Sequence, residues 1–332
     1  MTAKRNIAIV AGGDSSEWQV SLRSAEGLMS FIDAERYNRF VVTIHGTEWM
    51  AKVDGCDYPI DKNDFSFTSY GRKTIFDFAY ITIHGTPGEN GILEGYLRLL
   101  RIPFSCCDVL PSALTFDKFI CNNFLKSFGI HVAKSIELCV GQAYDCTAII
   151  DEIGLPCFVK PTADGSSFGV TKVKTIQQLK PAIAKAFTEG SNVMVEALLQ
   201  GTEVTCGMYR TRNKEVIFPI TEVVTSNEFF DYAAKYNGEV QEITPARIPE
   251  CLAKQVQNIT AKIYTLVHAK GIIRADYIIA PDGTINMLEV NTTPGMTATS
   301  FIPQQVHAAG LNISNVMTDI IENEFYQSGT QP

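Results

Sequence analysis

In the first third of the chain, apolar residues cluster in short continuous runs separated by glycine-rich turns. Residues 6–11 read as a short buried strand that stops at Gly12-Gly13. Residues 15–31 carry Val20, Leu22, Ala25, Leu28 and Met29 at helical spacing. Further strands are expected over 41–44 and 76–83, and a helix over 93–100. Such alternation predicts a parallel sheet covered by helices on both faces, with ligands at the carboxyl ends of its strands.

Downstream the pattern changes. Residues 112–128 read as one helix with Asp117-Lys118 near its middle. Residues 156–161 and 170–173 read as antiparallel strands joined by a loop of small residues, 162–169. The exposed backbone N–H groups of such a loop can hold phosphate oxygens, although a Walker A loop would lead into a helix instead. A strand over 192–197 crosses to antiparallel strands at 203–210 and 216–223. After a long aromatic and polar segment comes an amphipathic helix over 249–270, then apolar runs at 272–280 and 284–290. Segments that long without regular structure tend to be functional or disordered.

The last two runs carry the most informative chemistry. Pro281-Asp282-Gly283 between them is a hairpin signal. Side chains repeat every two residues in a strand, so Arg274 and Asp276 share one face of the first run, and Glu289 and Asn291 share one face of the second. Four polar groups thus converge on an apolar ribbon, where ionised groups need a partner or a metal. Two carboxylates and an amide oxygen, without Cys or His, suit a hard cation such as magnesium or manganese. Magnesium takes few carboxylates and shares itself with substrate phosphates, so the ribbon points to a nucleoside triphosphate. For Arg274 and Asp276 alone, a buried ion pair is the competing explanation.

Two strand ends in the first third are also polar. Gly12-Gly13-Asp14-Ser15-Ser16-Glu17 lacks the spacing of a dinucleotide fingerprint, and Glu17 could simply favour a helix N-terminus. His84-Gly85-Thr86-Pro87-Gly88-Glu89-Asn90-Gly91 could be a turn.

Arg274-x-Asp276 followed by Glu289-x-Asn291-x-x-Pro294-Gly295 resembles the metal site of ATP-grasp ligases. Its flanks, the string from Gly12 to Ser21 and the His84 segment are similar to the D-alanine–D-alanine ligase family. The resemblance spans most of residues 6–322. It implies an α/β fold, α+β in the C-terminal half, with a three-subdomain ATP-grasp architecture. Its expected parts are an N-terminal parallel α/β domain (1–105), a central lobe with the phosphate loop (106–196) and a C-terminal lobe (197–332). The implied reaction is ATP-dependent joining of two D-alanines through an acyl phosphate. Alternatives are a ligase of D-alanine–D-lactate type, or a nucleotide-binding relative without activity.

The same resemblance assigns roles. Glu17, Val20 and His84 line the first D-alanine site, with Glu17 on its ammonium. Lys118 and Lys160 contact the α- and β-phosphates, and Ser166 and Ser167 close over the β/γ end. Glu196 and Glu203 serve adenine and ribose, while Phe158 and Leu199 form apolar walls. Ala197 stands where many relatives carry lysine, which leaves the base contact to backbone atoms. Tyr232, Lys235 and Tyr236 belong to a mobile loop over the site; Lys235 meets the γ-phosphate and the second carboxylate, and Tyr236 bonds to Ser166 and Glu17. Arg274 and the Gly295 amide face the oxyanion, while Asp276, Glu289 and Asn291 hold two magnesium or manganese ions. Ser300, otherwise a helix N-cap, and Phe301 receive the second substrate. Glu94, where a smaller or amide residue is more usual, is expected to face solvent.

Composition narrows the alternatives. At 332 residues the chain exceeds one ordinary core, and 45% hydrophobic residues suit a globular protein. A net charge of −8 disfavours non-specific binding to nucleic acid or acidic membranes. Nine cysteines without a Cys-x-x-Cys read as reduced thiols, and five scattered histidines offer no zinc nucleus. No secretory signal and no apolar stretch of 18 residues is expected, so the reading is cytoplasmic. By resemblance, a homodimer through the N-terminal unit and potassium activation are expected, the latter not placed on residues.

Overall fold

The computed structural model describes residues 4–163, 169–225 and 240–327. The opening apolar run becomes β1 (Arg5–Gly12), with its last six residues buried. Helix α1 (Trp18–Phe31) leads back to β2 (Tyr37–His45), which pairs parallel to β1 from Arg5↔Tyr37 to Gly12↔Ile44. The chain then makes an antiparallel meander through β3 (Glu48–Val53), β4 (Cys56–Asp61), β5 (Ser66–Ser69) and β6 (Arg72–Ile75). Strand β7 (Phe78–Ile81) returns to the other side of β1, again parallel, and α2 (Ile92–Leu99) follows.

The sheet order is therefore β6-β5-β4-β3-β2-β1-β7. The expected parallel pattern holds for β2-β1-β7. The antiparallel extension was not legible, because β3 and β4 bury one residue each and β6 none, so no buried apolar run marks them. Helix α1 also starts later than the apolar spacing suggests. Ser15 turns its hydroxyl to the His84 carbonyl at 2.6 Å, so residues 15–17 form a turn and Glu17 takes the cap position.

One further expectation fails in this unit. Glu94 is fully buried, at 0% exposure, and the Cys106 thiol lies 3.6 Å from its Oε1. Helix α2 turns that side chain inward beside Leu93 and Leu97, and burial pushes its carboxyl pKa up to about 8.

The helix expected over 112–128 is two: α3 (Val109–Phe116) and α4 (Lys118–Ser127). Asp117 breaks them because its extended backbone and Oδ1, accepting from the Ile120 amide at 2.9 Å, make it the N-cap of α4. Then come β8 (Ser135–Cys139), α5 (Cys146–Ile153), β9 (Cys157–Pro161), β10 (Thr171–Val173), α6 (Ile176–Ala186) and β11 (Asn192–Ala197). They form an antiparallel sheet, β10-β9-β11-β8, over a core that includes Val159, Leu179, Ile183 and Val195.

The remaining chain supplies β12 (Thr202–Arg210), β13 (Glu215–Ile217), β14 (Thr221–Thr225), β15 (Val240–Ile243), α7 (Glu250–Leu266), β16 (Ile272–Ile279), β17 (Ile285–Asn291), α8 (Phe301–Ala308) and α9 (Ile313–Gln327). The sheet order is β15-β14-β12-β16-β17, with β13 on β12. Ile7, Ile9 and Leu28 share one buried cluster with Ile302, Met317 and Ile321. That core presses the first sheet and α1 onto α8 and α9, which brings the Glu17 end of α1 toward the β16–β17 ribbon.

Candidate active site

The β16–β17 ribbon is in the register that its polar residues require. Arg274 lies opposite Asn291, and Asp276 opposite Glu289. A bulge after Asp276 leaves Leu288 unpaired, an irregularity common beside active sites. Arg274 donates Nε to Asp276 Oδ1 at 2.9 Å and Nη2 to Oδ2 at 2.8 Å. Thr205 on β12 donates to the same Oδ1 at 2.5 Å, and Asn291 Nδ2 to Oδ2 at 3.1 Å. Burial alone would lower the Arg274 pKa, but Asp276, then Glu289 and Glu89, override it and hold the guanidinium charged. Its Cζ lies 5.2 Å from the centroid of the Phe301 ring.

This ribbon floors a cavity of about 1300 Å³. Every candidate residue within the described parts of the chain lines it. Glu17, Val20 and His84 come from the first unit, and Lys118, Phe158, Lys160, Glu196 and Ala197 from the central one. Leu199, Glu203, Arg274, Asp276, Glu289, Asn291, Gly295, Ser300 and Phe301 complete the wall. Ser166, Ser167, Tyr232, Lys235 and Tyr236 lie outside the described residues.

On the wall formed by the central sheet, Lys160 Nζ donates to Glu196 Oε2 at 2.6 Å across neighbouring strands. Lys118 Nζ is 3.6 Å from Glu289 Oε2, which puts a cation beside the candidate metal carboxylate. Its position is fixed by Asp117, whose Oδ2 accepts from Thr162 Oγ1 at 3.0 Å, and by its own amide, which donates to the Thr162 carbonyl at 2.8 Å. Glu196 Oε1 is buried with no hydrogen-bond partner among the described residues. An acceptor in that state fits an amino-bearing ring such as adenine.

On the wall from the first unit, His84 Nε2 is likewise buried with no hydrogen-bond partner among the described residues. Glu89 also lines the cavity and accepts the Gly85 amide at 2.7 Å. Burial raises the Glu89 pKa, His84 partly offsets this, and Glu17 adds to the rise. Neither Glu89 nor Thr205 was singled out from sequence. The first sits in the glycine-rich His84 segment, where a carboxylate was a usable signal; the second is one threonine in an apolar strand.

Ser300 takes the N-cap position of α8, yet its hydroxyl accepts from the Thr297 amide at 3.1 Å instead of capping the helix. That leaves first-turn amides available to an anion. Glu242, also in the wall, accepts from Gln304 Nε2 at 2.6 Å.

Among the described residues no cluster of three His, Cys, Asp or Glu side chains forms a metal site. The oxygen set is Asp276, Glu289 and Asn291, two carboxylates in register and an amide on the next face position. Such a set fits a hard cation that completes its shell with phosphate oxygens and water.

Residues 6–107 match the family described as D-ala D-ala ligase N-terminus, and residues 124–322 that described as D-ala D-ala ligase C-terminus. A D-alanine–D-alanine ligase of Phocaeicola vulgatus is 64% identical over 97% of this chain and 100% of its own. A D-alanyl-alanine synthetase A of Vibrio cholerae superposes with a TM-score of 0.89 at 26% identity, over 98% of this chain and 100% of its own. A D-alanine–D-alanine ligase of Bacillus anthracis, solved with ATP, gives 0.78 at 27% identity, over 98% and 99%.

Proposed function

The chain belongs to the D-alanine–D-alanine ligase family, and from that premise we propose the reaction that its own residues support: ATP-dependent joining of two D-alanines for peptidoglycan precursors. A carboxylate oxygen of the first D-alanine attacks the γ-phosphorus, the bond to the β-phosphate oxygen breaks, and ADP leaves. The amine of the second D-alanine attacks the carbonyl carbon of the acyl phosphate and gives up a proton, the C–O bond to phosphate breaks, and inorganic phosphate departs. Phosphorylation makes a poor acylating agent reactive and divides one hard step into two.

This chain contributes charge and position. Glu17 and His84 hold the first substrate, Lys118 and Lys160 the phosphates, and Glu196 and Glu203 the base and ribose. Asp276, Glu289 and Asn291 would hold magnesium, which when bound neutralises the transferring phosphoryl group. Arg274 and the Gly295 amide face the carbonyl oxygen that becomes an oxyanion, while the Ser300 end of α8 receives the second carboxylate. Lys235, Tyr236 and the Ser166-Ser167 loop are proposed to close over the acyl phosphate and keep water out.

One observation carries the reading: the Arg274–Asp276–Glu289–Asn291 ribbon shares a single cavity with Glu17 from the first unit and Lys118 and Lys160 from the central one. Incubation with ATP, magnesium and D-alanine tests it. Phosphate and D-alanyl-D-alanine in about equal amounts are expected, by the stoichiometry of acyl transfer; ATP turnover that ignores D-alanine would contradict it. The reading extends to the three units at 1–105, 106–196 and 197–332, to a cytoplasmic site of action, and to a homodimer through the first unit. A monomeric mass in sedimentation would refute the dimer. Among the described residues no helix is long and apolar enough to cross a membrane.

A further inference from the structure

The loop that carries Gly295 is not held by its own unit alone. The Met296 amide donates to Ser24 Oγ on α1 at 3.2 Å, and Ser24 is fully buried. Thr293 Oγ1 donates to the Ile83 carbonyl at 3.0 Å, one residue before His84. One helical turn beyond Ser24, Gly27 lies so close to the loop that a Cβ there would sit 2.1 Å from the Met296 carbonyl oxygen. The helix itself is tied to the sheet by Ser21, whose hydroxyl accepts the Gly12 amide at 2.9 Å and donates to the Thr82 carbonyl at 2.7 Å.

These contacts bracket Gly295 on both sides. Each one comes from an element that also carries a first-substrate residue: Glu17 and Val20 on the α1 side, His84 after β7. We propose that Ser24, Gly27 and Thr293 are positioning residues that index the Gly295 amide against the first-substrate pocket. Ser24 and Thr293 fix where the loop begins and ends, and Gly27 sets how near the helix it runs. The hydrogen-bond donor thereby sits where the carbonyl of the first D-alanine becomes tetrahedral. An oxyanion donor works only at the position that the oxyanion will occupy, so a small shift of the loop is costly.

The inference rests on the ligase reading and adds a consequence that packing alone does not give. Phosphoryl transfer to the first carboxylate does not use the Gly295 amide, whereas attack by the second amine does. Displacing the loop should leave acyl phosphate formed but slowly consumed, so water takes a larger share of it. In Ser24→Ala, Thr293→Val and Gly27→Ala, phosphate and dipeptide are measured together at saturating ATP, magnesium and D-alanine. The phosphate-to-dipeptide ratio should rise from about 1 to about 3 or more, and dipeptide turnover should fall about tenfold, with the KM for ATP within about twofold. Three variants are used because Ser24→Ala leaves a buried amide unpaired and could fail to fold. Folded variants that stay coupled, at whatever rate, overturn the inference while a coupled parent keeps the ligase reading. A parent that makes neither product overturns both.

Discussion

Arg274 and Asp276, two residues apart on one face of β16, form a two-point ion pair inside the cavity, at 2.9 and 2.8 Å. The pair fixes the plane of the guanidinium, and the charge it presents outward is aimed by a carboxylate that also belongs to the proposed metal set. Arg274→Ala should lower turnover by on the order of 10²–10³ with ATP binding retained. Steady-state kinetics at saturating magnesium checks this; a loss below about threefold would remove Arg274 from the oxyanion role.

Thr205 holds Asp276 from the neighbouring strand, through the 2.5 Å hydrogen bond to Oδ1. Partners that orient a metal-ligating carboxylate typically contribute about 10–100-fold in metal affinity. Thr205→Val should therefore raise the half-saturating magnesium concentration by about tenfold, while leaving the KM for D-alanine near its parent value. An unchanged magnesium titration would assign that hydrogen bond to packing alone.

Glu94 gives a prediction of opposite kind, since it does not line the cavity. Burial raises its carboxyl pKa to about 8 from 4.5, so the folded protein holds a proton that the unfolded chain releases. Stability from this group is complete below the unfolded pKa and is lost as pH rises through the folded one, a window from 4.5 to about 8. Glu94→Gln cannot ionise, so its melting temperature relative to the parent should climb by several degrees between pH 5 and pH 8. A constant difference across that range would show that Glu94 is already ionised in the fold.

Tyr236 lies outside the described residues, and its prediction comes from the resemblance. Tyrosine at this place accompanies D-alanyl-D-alanine, and phenylalanine accompanies acceptance of D-lactate. A buried hydroxyl partner left unpaired costs roughly 1–3 kcal/mol, enough to loosen a closed loop. Tyr236→Phe should gain depsipeptide synthesis from D-alanine and D-lactate. Equal D-lactate use by parent and variant would count against it.

The geometry of the candidate ribbon was legible in the sequence. Two-residue periodicity alone placed Arg274, Asp276, Glu289 and Asn291 together, and the register of β16 and β17 agrees. The hydrogen bonds from Thr205 and Ser24 were not legible, because each joins residues far apart in sequence through one ordinary hydroxyl. Asp117 shows a local failure: the apolar spacing runs on through it, and only its capping hydrogen bond reveals the break between α3 and α4. Glu94 failed for the reverse reason. A carboxylate on a short helix near the surface reads as solvated, and nothing local announces that α2 faces it inward.

Oxygens of Asp276, Glu289 and Asn291 are proposed to clamp divalent ions against a triphosphate. Anomalous diffraction from crystals grown with manganese and a non-hydrolysable ATP analogue tests it directly. Manganese peaks within about 2.0–2.3 Å of those three side chains and of phosphate oxygens are predicted. Peaks bound by phosphate and water alone, with Glu289 and Asn291 turned away, would contradict it.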